Sequence, residues 1–462
     1  MPTLYLPELL YMEGAFHAGM GLLVGGDGVI LNIGADLEAN GAKNVRMPGK
    51  AMLPGLVNGH SHTFQRLIRG VAEHCGANGD DFWAWRNTMY RAASQLTPEE
   101  LYDVARMAFL EMALTGITAV GEFHYLHRQP DGTAYDDPNL LSMAVIEAAR
   151  SVGLRICLLR VAYSRAGYQL PPNPGQARFY ETNVEYLNSM ERLAADLQGL
   201  DPTVTFGVAP HSIRAVTLDE VRKISEWAEM RGLPIHMHMA EQAAELAACV
   251  REYGYTPIKL MVENNLLSSN TTLVHAIHVT VEEIAHLACA GATICSCPTT
   301  ERNLGDGIID ADQACGAGVP FSFGTDSQAN INLLEDAREL DYHLRLKRER
   351  RVLLDGINGE EISQRLFGYA TTGGAKSLRM NTGELKISNP ADFFTLDLND
   401  VSIAGAAPKE LLSTIVFGSE RTAVSDVVSN GRVLVSNRQS ALTEEIVTRY
   451  TAVARRLSSL PA

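Results

Sequence analysis

Met52-Leu53-Pro54-Gly55-Leu56-Val57-Asn58-Gly59-His60-Ser61-His62 reads as an apolar strand, Met52–Asn58, that ends in two histidines one residue apart. Successive strand side chains point to opposite faces, so His60 and His62 point the same way and can share one metal ion. Taken alone, such a pair also arises by chance. What surrounds it decides how it is read.

Downstream, short apolar or β-branched runs recur, each followed by a longer helical pattern. The strand candidates after the first are Ile117–Phe123, Arg155–Val161, Val204–Ala209, Pro234–Met239, Thr271–His275, Ala292–Ser296 and Pro320–Thr325. Amphipathic stretches lie between them, such as Thr97–Leu114, opened by the helix-start pattern Thr97-Pro98-Glu99-Glu100, and Leu218–Met230. Eight strands separated by helices predict an α/β fold, a closed (β/α)8 TIM-type barrel over residues 51–382. No Gly-rich phosphate loop follows any of these strands, which counts against a nucleotide fold. The two ends differ. Residues 1–50 and 383–462 alternate in short strands and turns, for example Gly25-Gly26-Asp27-Gly28 and Val427–Leu434. They are expected to form one small β-sandwich built from both termini.

The ends of the first, fifth, sixth and eighth barrel strands carry a joint pattern, the sixth reading Leu273-Val274-His275-Ala276-Ile277-His278. The fifth reads His236-Met237-His238-Met239-Ala240-Glu241, with two histidines alternating with apolar residues. Both can be satisfied inside a barrel core. His238 is preferred as a ligand because Glu241 follows three residues later, and metal-assisted hydrolysis uses a nearby carboxylate that moves protons without binding the ion. The eighth ends in Phe323-Gly324-Thr325-Asp326-Ser327, where Asp326 caps a helix or binds something. Barrels of this type place active sites at the C-terminal ends of their strands, so His60, His62, His238 and Asp326 are expected to hold one ion. Three His and one Asp without Cys suit Zn²⁺, with Fe²⁺ as the alternative. No lysine occurs between Lys50 and Lys223, which excludes a carboxylated lysine bridging two metals at the third or fourth strand. Glu122, at the end of the second strand, is the remaining candidate for a second ion, and a single-metal site is preferred.

Composition narrows the partners. The chain has 462 residues, 46% hydrophobic and 20% charged, with a formal net charge of −15. Such an acidic balance argues against nucleic acid or an anionic membrane as the main partner. No apolar run reaches the roughly 18–20 residues of a membrane span, and Met1-Pro2-Thr3-Leu4-Tyr5 lacks a basic secretory n-region. Seven scattered cysteines contain no CxxC and predict reduced buried thiols rather than disulfides. A cytoplasmic homodimer acting on a small molecule is the expectation.

These residues resemble the mononuclear deaminase branch of the amidohydrolase superfamily across nearly the whole chain. Within it, longer blocks are similar to the formimidoylglutamate deiminase family: His60–Arg66, Phe82-Trp83-Ala84-Trp85-Arg86, Glu122–His127, Ala209–Val216 and Cys297–Gly307. That resemblance implies hydrolytic deimination of N-formimino-L-glutamate, a dicarboxylate of histidine degradation. It implies Glu241 as proton shuttle, His275 as the group that orients or polarises water or substrate, and Asp326 as both ligand and base. It also implies Gln65, Arg86, Tyr125, His211 and Arg214 as the substrate-binding set, the arginines suiting carboxylates. The run Asp326–Asn332 departs from the family's pattern. Two other readings remain. A deaminase of a guanine-, pterin- or triazine-like ring would use Trp83 and Trp85 for stacking. A catalytically dead barrel kept for binding would lack a ligand or the shuttle, and none is missing here.

Overall fold

The computed structural model describes residues 1–38, 41–71, 73 and 81–459, without the side chains of 81–84. Cys75 and the side chains of Phe82 and Trp83 therefore lie outside the described residues. The chain opens with β1 (Thr3–Met12), β2 (Ala15–Ala18), β3 (Met20–Val24), β4 (Ile30–Ala35) and β5 (Lys43–Pro54). Next come β6 (Leu56–Ser61), β7 (Ile117–His124), β8 (Arg155–Ala162), β9 (Val204–Pro210), β10 (Ile235–Met239), β11 (Thr271–His275), β12 (Thr293–Ser296) and β13 (Phe321–Phe323). The last strands are β14 (Phe393–Asp397), β15 (Val424–Ser429) and β16 (Arg432–Val435).

Strands β6 to β13 pair in chain order, all parallel, with helices between them, as the βα rhythm predicts. The ring is closed by a parallel bridge between Ser61 and Asp326. Asp326 N donates to His60 O at 3.0 Å, and His62 N donates to Asp326 O at 3.1 Å. The rungs that close the barrel are thus the candidate ligand residues themselves. Two predicted helices stand at Pro98–Ala113 and Leu218–Glu229, opened by capping boxes at Thr97 and Thr217.

The terminal module is built from both ends, in the order β16-β15-β14-β5-β1-β3-β4 with β2 on β1. Tyr5, Leu10, Leu22, Met52 and Phe393 pack as its own core. One boundary differs from the sequence reading. Met52 and Leu53 pair with Thr395 and Phe394 in the terminal sheet, and the first barrel strand starts at Leu56. The chain passes from one sheet to the other at Gly55, where a Cβ would lie 2.1 Å from Thr118 Oγ1. The apolar run is continuous through this crossing, so its alternation carries no mark of the change of sheet.

The C-terminal segment also carries two helices, Pro408–Gly418 and Thr443–Ser458. The second lies against the barrel helix Pro98–Ala113, held by a bidentate Arg106–Glu445 pair and by Arg449 on Asp103. Among the described residues no helix is long and apolar enough to cross a membrane, and the six described cysteines are all free.

Candidate metal centre and substrate cavity

The ligand-type atoms of His60, His62, His238 and Asp326 all lie within 4.8 Å of one another, and all four residues are buried. Backbone carbonyls set the imidazoles. A carbonyl only accepts, so His62 Nδ1 donates to Phe123 O at 2.8 Å and His238 Nδ1 donates to His211 O at 3.1 Å. Each ring then turns a bare Nε2 toward the centre, the usual way a carbonyl orients a metal-binding histidine. His62 Nε2 stands 3.1 Å from His60 Nε2 and 3.2 Å from Asp326 Oδ1. His60 Nδ1 is buried without a hydrogen-bond partner among the described residues. Burial, with His62 and His275 adding to it, holds His60 down to about 3, and so neutral. Burial pushes Asp326 up, but the neighbouring imidazoles of His60, His62 and His275 outweigh it and hold the carboxyl well below its usual range. Three imidazoles and a carboxylate packed this closely form a donor set for a divalent metal ion.

Ala240, His275, Ala276 and Asp326 take left-handed backbone conformations (φ +52°, +72°, +49° and +46°) where three strands end. Each costs about 1–3 kcal/mol for a residue other than glycine, and such strain clusters where side chains must be aimed.

Glu122 does not face this centre as a second ligand set would need. Its carboxylate accepts from Ser61 Oγ, Thr63 N and Thr63 Oγ1, all at 2.7 Å, and so ties β6 to β7. His236 lies deeper, donating through Nε2 to Ser377 O at 2.8 Å, and is not among the clustered ligand atoms.

Above the centre is a small cleft. Gln65, Arg86, Tyr125, His211, Arg214, Glu241 and His275 all line it, together with His62, His238 and Asp326. The site residues inferred from sequence are thus brought together, with His60 beneath the floor. Gln65 Nε2 donates to Tyr125 Oη at 2.9 Å, and the Arg86 guanidinium lies 5.4 Å from the centre of the Tyr90 ring. Arg214 donates to no group among the described residues, although Glu245 and Glu241 lie near enough to favour its charge. Its donors are left for a ligand.

His275 sits between acids. Its Nε2 is 3.9 Å from Glu241 Oε1 and 3.6 Å from Asp326 Oδ2, and its Nδ1 is 3.3 Å from Glu301 Oε1. Burial disfavours its charge, but Glu241, Glu301 and Asp326 outweigh burial and push its pKa well above the ordinary value.

Residues 51–434 match the model of the amidohydrolase family. The chain belongs to that family. This amidohydrolase is 36% identical to the formimidoylglutamate deiminase of Pseudomonas aeruginosa over 454 residues, covering 98% of this chain and 99% of the relative. It is 29% identical to an 8-oxoguanine deaminase of the same organism, covering 87% and 86% of the two chains. An amidohydrolase from Brucella melitensis superposes with a TM-score of 0.91 at 31% identity, over 99% of this chain and 100% of the other. A zinc-bound adenosine deaminase from Xanthomonas campestris, at 22% identity and a TM-score of 0.84 over 99% of both chains, shares the fold.

Sequence reasoning assigned no role to Glu301, Glu245 or Asp306. Glu245 stands in the first turn of the helix Ala243–Tyr253 and accepts the backbone N–H of Glu241 at 3.2 Å. Asp306 accepts from Gln242 Nε2, and burial together with Glu241 pushes it up to about 9. Glu301 and Asp306 lay inside the Cys297–Gly307 block with no periodicity to single them out.

Proposed function

We propose that this amidohydrolase hydrolyses the carbon–nitrogen bond of N-formimino-L-glutamate, giving N-formyl-L-glutamate and ammonia. The observation that carries the reading is that Arg86 and Arg214 line the same cleft as Glu241, His275 and Asp326. A dicarboxylate needs paired cationic forks inside an acidic protein, and arginine binds carboxylates through two parallel hydrogen bonds. The 36% identity to a formimidoylglutamate deiminase points the same way.

His60, His62, His238 and Asp326 would hold one Zn²⁺ per subunit, with Fe²⁺ as the alternative. Bound there, a divalent ion polarises water and lowers its pKa toward neutrality. Arg86, Arg214, His211, Gln65 and Tyr125 hold the substrate with its formimino carbon over the centre. Asp326 takes a proton from the attacking water as the new carbon–oxygen bond forms. His275 orients that water toward the formimino carbon. Glu241 delivers a proton to the imino nitrogen; as the formyl carbonyl forms, the second proton of the water passes from its oxygen to the same nitrogen, so that the carbon–nitrogen bond breaks and ammonia leaves. The proposal extends to a cytoplasmic homodimer serving histidine breakdown, its dimeric state being checked by sedimentation.

A ring deaminase is the second reading, favoured by Tyr90, Tyr125, Tyr163 and Trp85 in the same cleft and by the 8-oxoguanine deaminase relative. Zn²⁺-loaded protein is offered N-formimino-L-glutamate, 8-oxoguanine, guanine and a pterin in parallel, and ammonia is followed. Chelator-sensitive release from formiminoglutamate alone is the expected result. Turnover of a ring amine alone would overturn the substrate assignment.

A further inference from the structure

Glu301 stands in the short helix Pro298–Leu304 that follows β12, and is 3% exposed. A buried carboxylate is costly unless it is hydrogen-bonded and faces positive charge. Three groups meet this one. Cys297 N donates to Oε1 at 2.8 Å, Ser296 Oγ donates at 3.3 Å to Oε2, and His275 Nδ1 lies 3.3 Å from Oε1. Among the described residues no lysine or arginine pairs with it, and His275 is its one ion-pair partner. Because a carboxylate accepts, Nδ1 of His275 carries a proton toward Glu301, while Nε2 faces Glu241 and Asp326. The imidazole therefore has carboxylates on both sides, one structural and two at the reacting atoms. His275 itself leaves its strand with φ +72°, so its ring is aimed by a backbone that needs support.

We propose that Glu301 is a positioning residue that holds the Nδ1 proton and the aim of His275 for the hydrolytic step. The inference rests on the hydrolase reading above. It gives Glu301 the part a carboxylate plays behind a catalytic imidazole, holding one nitrogen protonated so that the other faces the chemistry. The bland alternative is that Glu301 only pins the turn into its own helix through Cys297 N.

The two are separated by ¹⁵N-histidine NMR on the metal-loaded enzyme, with the His275 signals assigned by their loss in His275→Asn. In the parent protein Nδ1 of His275 is expected to be protonated. In Glu301→Ala that proton is expected to be lost or shared with Nε2. kcat is expected to fall about 10- to 100-fold with KM within about twofold and metal content unchanged. Glu301→Gln, which keeps an acceptor, is expected to retain the Nδ1 proton and recover part of kcat. In a His275→Asn background, Glu301→Gln is expected to cost nothing further. An unchanged His275 signal in Glu301→Ala would overturn the proposal, as would additive losses in the double variant. Should Glu301→Ala not fold, the double-variant cycle with Glu301→Gln decides alone. The NMR readout needs no substrate, and the kinetics use whichever substrate the parent enzyme turns over. Failure of the formiminoglutamate assignment is therefore distinguishable from failure of this one.

Discussion

His60 Nε2 and His62 Nε2 lie 3.1 Å apart, with Asp326 Oδ1 within 3.4 Å of both. His62 has its other nitrogen committed to the Phe123 carbonyl, so its lone pair faces its neighbour. A cation between them relieves that repulsion. Removing the ion with a chelator is expected to lower the thermal midpoint by several degrees, and Zn²⁺ to restore it. Free metal at about 1,000 times its Kd corresponds to roughly 4 kcal/mol of linkage. A midpoint indifferent to metal, checked by calorimetry, would contradict the assignment.

Glu241 lines the cleft 3.9 Å from His275 and outside the ligand cluster. Glu241→Gln is expected to lower kcat by about 10²–10⁴-fold, the range of general acid–base catalysis. Metal content, measured on the same sample, is expected to stay at the parent value. Near-normal turnover would remove the shuttle role.

Arg214 has donors unused among the described residues. Arg214→Met is expected to reduce kcat/KM for the dicarboxylate by about 10- to 100-fold, the size of a lost charge-assisted hydrogen bond. The preference for the dicarboxylate over its neutral amide should shrink by a similar factor. A variant that lost both substrates equally would mean that Arg214 supports the fold instead.

Burial, with Glu241 adding to it against Arg214, raises the Glu245 carboxyl to about 7 from 4.5. The folded state therefore holds a proton that the unfolded chain has lost between these values. Stability from this group is complete below about pH 4.5 and is lost as pH rises through 7, by up to roughly 3 kcal/mol. Glu245→Gln does not titrate, so its stability relative to the parent is expected to rise between pH 5 and pH 8. Urea unfolding at the two pH values checks this, and an equal difference at both would refute it.

Gly324 packs directly under the centre. A Cβ there would lie 2.6 Å from His60 Cβ and 2.9 Å from His60 O. Gly324→Ala is expected to displace His60, to cost about 1–3 kcal/mol through overpacking, and to lower metal occupancy. Elemental analysis of the purified variant, beside its unfolding curve, measures both.

Much of this was legible along the chain. Alternation placed His60 beside His62, and the βα rhythm from Ile117 to Phe323 gave the barrel its strands. The capping boxes at Thr97 and Thr217 marked helix starts because their chemistry is local. The run Met52–Asn58 misled because one apolar stretch serves two sheets, and only the partners Phe394 and Ile117 separate its halves.

What the sequence by itself determined is therefore the set of elements and the residue types at their ends. These follow from period, propensity and capping, all of which act over a few neighbouring residues. Tertiary structure alone decided that Ser61 and Asp326 close the ring, that Glu301 backs His275, and that Arg214 faces an open cleft rather than a salt bridge. Those pairings join positions far apart in sequence, through backbone rungs and side chains whose partners no local pattern encodes. They exist only once the closed barrel removes water and leaves each buried charge the neighbours it has.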